Sequence, residues 1–551
     1  MTQTLSDSTL QNLIEEYMQG SFESDPIMAA YMGLHEYDGK VPDLSQRAIE
    51  KRINTLHNLE GRVEQLAETS LDKEGRFDRT LLLGAIRKEL FSLEDLREYA
   101  NNPIVYSGVV EVSTYIKRDY APIKQRLEAL VRHLEQVPPV LTHAQANLVE
   151  SLPKPALETA LGMYEGVITY YETDVAKEFD QHAQPELKGR FELARNNAVG
   201  AVREFINFLK TRLPQASMDF AIGADKYRKM LATGEMVDLP VEKVLEVGRR
   251  DLAKNQRELE RICESYRPDV PVKEVMRELQ AHHPTPETLI SDTVAKLEEV
   301  RQFLIDHKIV TVPSEVRCLV TETPPFLRWA FAFMDAPGPF EQVAKEAYYY
   351  ITPVEPDWTP QQKEEWLTKF DYYTLQDVSI HEAYPGHYLH FLHTRLVKSR
   401  LRQMLWAYSF VEGWAHYTEQ MMLEEGFESA DPRYKIAQLS EALLRDSRYI
   451  VAIMMHTQGM SVDEATRFIM ENAYMEETPS RSEAVRGTFD PGYLNYTLGK
   501  LLLLKLREDY KAEQGENFNL QNFHDLVLSY GAPPVPLLRT VTLKNPGGDI
   551  L

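Results

Sequence analysis

Cysteine is nearly absent from this chain: Cys263 and Cys318 are the only two in 551 residues. So few thiols exclude a disulfide framework, and they stand far in sequence from the histidines, which argues against a mixed Cys/His metal site. Both read as buried thiols. Positive charge is also in short supply. Against 84 acidic residues stand 61 basic ones, a formal net charge of −23. That balance disfavours a nucleic-acid backbone or an anionic membrane as partner, and no basic stripe with interleaved aromatics appears. Long apolar runs are missing too. No uncharged stretch is long enough to span a bilayer, and the opening MTQTLSDSTLQNLIEEYMQG has neither a basic n-region nor an apolar h-region. These absences lead to the expectation of a cytoplasmic protein without membrane or nucleic-acid partners. They leave the oligomeric state open.

What is present is helical periodicity. Apolar residues recur every three or four places, opposite charged faces, in QNLIEEYM, IKQRLEALVRHLEQV, LKGRFELARNNAVGAVREFINFLKTRL, VEKVLEVGRRDLAKNQRELERI and ISDTVAKLEEVRQFLIDH. Prolines in QVPPVLT, SLPKPAL, HHPTPET and DLPVEK read as breaks at which the next helix starts. Near residue 308 the composition changes. KIVTVPSEVRCLVTETPPFLRWAFAFMDAPGPFEQVAKEAYYYITPVEP is rich in β-branched and aromatic residues, broken by Pro and Gly, and reads as a few short strands. Helices resume from Trp358, with capping-box spacings at Ser461/Glu464 and Ser480/Glu483. The expected fold is mainly α, a large multi-helical protein with a small β-sheet beside a deep cleft. A chain of this length exceeds the usual single core, and we divide it into a helical half, 1–307, and a half carrying the sheet and the histidine-rich helices, 308–551, the two forming one integrated body.

The stretch HEAYPGHYLH, from His381 to His390, begins like the zinc-peptidase signature H-E-x-x-H but places its second histidine six positions after the first. A regular helix turns about 100° per residue, so His381 and His387 would lie roughly 240° apart. Pro385 changes this. Its ring clashes with the carbonyl of His381 and it offers that carbonyl no N–H; Gly386 then tolerates backbone angles that other residues resist. A widened turn brings His387 round to the face of His381. A catalytic zinc takes three N/O ligands and leaves a position for water, and His381 and His387 supply two. Glu382 is placed to act as general base. The third ligand is sought on the helix SFVEGWAHYTEQM, where Glu412, His416 and Glu419 share a face. Glu412 is the candidate. His416 is a catalytic candidate, lying behind the ligands or reaching into the cleft, and Glu419 is expected to orient a ligand histidine through its free ring nitrogen. His390 and His393 continue at three-residue steps. His390 is carried as a further second-shell or substrate-binding candidate; packing alone also accounts for either.

Amide hydrolysis needs a donor facing the developing oxyanion. In RSEAVRGTFDPGYLNYTLGK, with Pro491 opening a helix, Tyr493, Tyr496 and Lys500 fall on one stripe. Tyr496, and less directly Tyr493, can offer a phenol. Arg486 suits a substrate carboxylate through its planar fork, which favours exopeptidase action. An edge strand beside the metal would bind an extended peptide by main-chain hydrogen bonds, and EAYYYITP, from Glu346 to Pro353, is the candidate edge.

HEAYPGHYLH, EGWAHYTEQM and PGYLNYTLGK together resemble domain-of-unknown-function family eight-eight-five, and GLHEYDGKVPDLS, AIGADKYRKML and TETPPFLRWAFAFMDAPGPFE extend the resemblance nearly end to end. Members look like helical zinc metallopeptidases with a Glu third ligand, similar to the thimet oligopeptidase and thermostable carboxypeptidase groups. The resemblance implies one zinc ion on His381, His387 and Glu412, Glu382 as base, and a short peptide as substrate. One departure stands at Ala452 and Met454, where relatives carry Asp and Gly. Two other readings stay open: a metal-dependent hydrolase of a non-peptide amide or ester, and a non-catalytic helical scaffold.

Overall fold

The computed structural model describes residues 5–182, 185–324, 328 and 331–551. The first four residues of the opening stretch therefore lie outside the described residues, as do 325–327, 329 and 330 of TETPPFLRWAFAFMDAPGPFE. The chain is mainly α-helical, with one three-stranded sheet among the described residues. It groups into two compact units. One comprises Met1–Phe220 with Pro337–Lys345, the other Ala221–Ala336 with Glu346–Leu551. The compositional change near residue 308 falls inside the second unit and marks the approach to the sheet.

The core of the first unit is built on α1 (Ile123–Asn147), α2 (Lys154–Glu172) and α3 (Pro185–Arg212). Their apolar faces bury Leu130, Leu134, Tyr164, Tyr171 and Phe205 together. The buried phenols keep hydrogen bonds: Tyr164 donates to the Pro103 carbonyl at 3.0 Å and Tyr171 to that of Val110 at 2.8 Å, as buried hydroxyls require. QVPPVLT does not end a helix, because α1 runs straight through Pro138 and Pro139. An internal proline costs about 3 kcal/mol; burial of Val137, Val140 and Leu141 on the same turns offsets it. The other proline breaks behave as expected: α2 begins directly after Pro153, and α4 (Val241–Tyr266) directly after Pro240.

In the second unit the strands β1 (Leu319–Glu322), β2 (Ala332–Asp335) and β3 (Tyr348–Ile351) are ordered β1–β3–β2, with β1 parallel and β2 antiparallel to β3. The strand within EAYYYITP is therefore the centre of the sheet and not its edge. Tyr349, Tyr350 and Ile351 are buried in succession, the pattern of a strand covered on both faces. β2 takes the outer position instead. Downstream come α5 (Tyr372–Glu382), α6 (His387–Thr394), α7 (Tyr408–Glu424), α8 (Pro432–Thr457), α9 (Glu477–Phe489) and α10 (Asn495–Gln514). The capping box at Ser461/Glu464 is formed, and so is an unforeseen one at Thr359/Gln362. Ser480 caps nothing. It sits inside α9, its hydroxyl donating to the Glu476 carbonyl, while Glu483 pairs with Arg448. Likewise α10 opens at Asn495, so Pro491 and Tyr493 precede the helix.

Helices α7 and α10 cross at Gly413 and Gly499. A Cβ on Gly499 would lie 1.7 Å from the Ser409 carbonyl oxygen, and one on Gly413 would lie 2.4 Å from the Gly499 Cα. Only glycine permits this approach, and it places Glu412 of α7 beside the turn of α10 that carries Tyr496. Gly499→Ala is expected to destabilise the protein by about 3 kcal/mol, the upper range for overpacking. Gly200→Ala, within α3 where a Cβ meets nothing within 4 Å, should be neutral or stabilising by up to about 1 kcal/mol. Urea denaturation of the two variants measures both signs.

Candidate metal centre

The site begins with a break in the helix. Asp371 caps α5, accepting from the N–H groups of Tyr373 and Thr374, and α5 ends at Glu382. The Tyr384–Pro385 peptide is cis, and α6 starts afresh at His387. Two helices thus stand where one widened helix was expected. The Gly386 N–H reaches back to the Ile380 carbonyl at 3.0 Å, closing the turn. Gly386 is needed for space: a Cβ would fall 1.8 Å from the His381 carbonyl oxygen. The turn is also held from α7, where the Trp414 indole N–H donates to the Pro385 carbonyl at 2.8 Å.

This turn brings the two histidines together, ring centroids 4.8 Å apart and nearly perpendicular. Both direct Nε2 at the same carboxylate oxygen of Glu412, Oε2, at 3.5 Å from His381 and 3.6 Å from His387. The ligand atoms of all three residues lie within 4.8 Å of one another. The set is open on the Glu412 side, since the Glu412 side chain is 21 % exposed against 7 % and 10 % for the histidines. A divalent cation fits this donor set, two imidazole lone pairs and a carboxylate.

Behind the ligands lies a buried carboxylate. Glu419, with no exposure, accepts from His381 Nδ1 at 2.7 Å on one oxygen and from His416 Nδ1 at 2.7 Å on the other. Burial would raise its pKa, but the charge of Arg445, 3.6 Å away, and the two imidazoles hold it well below the usual carboxylate range. In His381, burial alone would depress the imidazole; hydrogen bonds to Glu412 and Glu419 outweigh it and push the pKa up to about 10. Burial likewise opposes ionisation of Glu412, yet the same histidines hold its carboxyl below the ordinary range. Glu382 is raised, chiefly by burial, with the nearby Glu412 carboxylate adding to the effect. Its Oε2 accepts the Met334 N–H of β2 at 2.9 Å.

The remaining expected residues divide. Tyr496 lies at the site, its ring stacked 6.4 Å from that of His381; burial first, then Glu412, raises its phenol. Arg486 hydrogen-bonds Tyr496, with Cζ 6.0 Å from the ring. His416 is fully buried behind Glu419 and does not reach outward. His390 is a core histidine, packed 5.2 Å from Phe410 and pushed down to about 3 by burial. His393 donates to the Thr311 carbonyl. Tyr493 is buried under Arg486 and against Gly487. Lys500 points away, pairing with Asp251 at 2.9 Å in a buried cluster with Asn255, Asp446 and Thr497. Five contributors were missed: Met334, Trp414, Arg445, Tyr408 and Asp377. Asp377 sits one turn before His381 on α5, fully buried and raised well above the usual range by burial and by Glu419. Its four-residue spacing from His381 was a signal in the sequence; Arg445 left none.

The fold and cluster thus define a mainly α protein with a small sheet abutting a two-histidine, one-glutamate set. The family described as "Bacterial protein of unknown function (DUF885)" matches residues 26–541, and the chain belongs to that family. No curated protein matches it. Two solved structures share the fold. One, from Shewanella oneidensis, is provisionally described as a lipoprotein of unknown function; at 23% identity and a TM-score of 0.83 the match covers 97% of this chain and 100% of that one. The other, provisionally described as a lipoprotein from Colwellia psychrerythraea, matches at 19% identity and a TM-score of 0.81 over 98% and 99% of the two chains. These neighbours overturn the expectation of a cytoplasmic protein: the fold also occurs in proteins described as lipoproteins, so charge and helical pattern do not assign its compartment. Among the described residues no helix is long and apolar enough to cross a membrane.

Three buried histidines away from the ligand atoms carry a pH dependence. His524 donates from Nδ1 to the Ile309 carbonyl and accepts from the Tyr417 hydroxyl, and His456 donates from Nε2 to the Gly487 carbonyl. Burial holds His524 and His390 down to about 3 and His456 to about 4. Because the folded values lie below the unfolded one near 6.5, the unfolded state binds more protons as pH falls. Stability is complete above about pH 6.5 and declines below it, by on the order of 1 kcal/mol per pH unit for each histidine. Urea midpoints between pH 7 and 4.5 should follow this slope, and His524→Gln should make it shallower.

Proposed function

We propose that the protein is a zinc-dependent peptidase acting on short peptides. The observation that carries this reading is the convergence of His381 Nε2, His387 Nε2 and Glu412 Oε2 beside Glu382, which directly follows the first ligand. Zinc, when bound, supplies a Lewis acid that makes water nucleophilic near neutral pH and polarises the substrate carbonyl. His381, His387 and Glu412 would hold it. Glu419 fixes the His381 ring by accepting a hydrogen bond from its Nδ1–H, which leaves Nε2 as the ligand atom.

Glu382 accepts the proton of the attacking water and returns it to the leaving amine. The Met334 N–H holds one of its oxygens, which fixes the carboxylate relative to β2. As an outer strand, β2 is the segment beside which an extended peptide can lie, the role first given to EAYYYITP. Tyr496 stays protonated and lies close to both His381 and Arg486, where its hydroxyl can donate to the carbonyl oxygen as charge builds on it.

Glu382→Gln should retain zinc, measured by elemental analysis, while hydrolysis of a peptide library followed by mass spectrometry falls by about 10²–10⁴-fold. Turnover at the parental rate would rule Glu382 out as the base. Glu419→Gln should weaken zinc about 10–100-fold in chelator competition.

A further inference from the structure

We propose that Arg486 receives the terminal carboxylate of the substrate, so that the site trims short peptides from the C-terminus; this rests on the peptidase reading above. Three arginines lie near the metal-ligand set, and two are already committed. Arg448 spends Nε and Nη2 on the two oxygens of Glu483, at 2.8 and 2.7 Å, and its side chain is almost covered. Arg445 is buried between Glu441 and Glu419. Arg486 differs. Its side chain is 33 % exposed, and its Nε and Nη2 converge on a single oxygen of Asp490, at 3.1 and 2.9 Å, while Nη2 also donates to the Tyr408 hydroxyl at 3.0 Å.

These bonds, with a further one to Tyr496, fix the guanidinium plane, and a third of the side chain stays exposed to an incoming acceptor. A fixed planar donor suits a carboxylate better than a neutral amide. The position is also right for a peptide end. The Tyr496 ring lies 6.4 Å from that of His381 and 6.0 Å from Arg486 Cζ. A carboxylate on Arg486 therefore lies within about four extended residues of a carbonyl at the ligand set. Of the acidic groups nearby, Glu483 is paired with Arg448, Asp490 with Arg486 itself, and Glu412 belongs to the candidate ligand set.

The test uses zinc-loaded protein and a hexapeptide supplied both as the free acid and as its C-terminal amide, with products identified by mass spectrometry. The free acid should be cut within its last four residues with kcat/KM at least tenfold above the amide. Arg486→Ala should bring that ratio close to one, the loss appearing mainly in KM, and Arg486→Lys should restore part of it. Equal cleavage of acid and amide by the parent, or cleavage from the amino end, overturns the proposal, as does an unchanged ratio in Arg486→Ala. If neither peptide is cut, calorimetric titration with N-acetyl-dialanine and with its amide separates the two readings. Tighter binding of the acid that disappears in Arg486→Ala supports the carboxylate seat while the peptidase reading fails; equal binding of acid and amide overturns both.

Discussion

The geometry of the His381, His387 and Glu412 cluster depends on one close approach. Gly386 passes so near the end of α5 that a Cβ would overlap the His381 carbonyl oxygen. This contact lets the chain leave one helix after Glu382 and enter the next at His387 with both imidazoles facing the same carboxylate. A side chain at position 386 would push α6 outward and separate the Nε2 atoms, which stand within 4 Å of Glu412 Oε2. Trp414 holds the same turn from the opposite helix, and Glu412 lies two residues before it. The segment that supplies the third ligand therefore also clamps the loop that aligns the first two.

Charge balance is the second constraint. Glu419 has no exposure to water, and an ionised carboxylate in that position is tolerable only with its lone pairs satisfied and an opposite charge at hand. Two imidazole N–H groups meet the first need and Arg445 the second. The arrangement fixes the tautomer of His381 from behind, so the direction of its remaining lone pair is set by the protein interior. A separate buried cluster around Lys500, Asp251 and Asp446 ties α4, α8 and α10 together and holds α10 against α7, where the two glycines already meet.

Much of this was legible in the chain. The helices followed from three- and four-residue periodicity, the sheet from the β-branched and aromatic stretch after residue 308, and the clustering of His381, His387 and Glu412 from HEAYPGH and EGWAHYTE. What failed has a common cause. QVPPVLT looked like a break because two prolines weaken a helix locally, but the burial that carries α1 through them is tertiary. EAYYYITP looked like an edge because it is short and bounded by proline, whereas strand order depends on β1 and β2, distant in sequence. Ser480 had the spacing of a cap and none of the exposure of a helix start.

By itself the sequence determined which side chains share a helix face and where the backbone cannot continue a helix, because periodicity and proline geometry are local properties. It therefore contained the ligand trio, the break between the histidines and the adjacent glutamate. The tertiary structure alone decided that Glu419 faces inward to two histidines, that Met334 reaches Glu382, that His416 and His390 are shut away from the opening, and that Arg486 stays partly exposed while held by Asp490 and Tyr408. Those outcomes depend on which buried charges find partners across helices far apart in the chain, and no local pattern records that pairing.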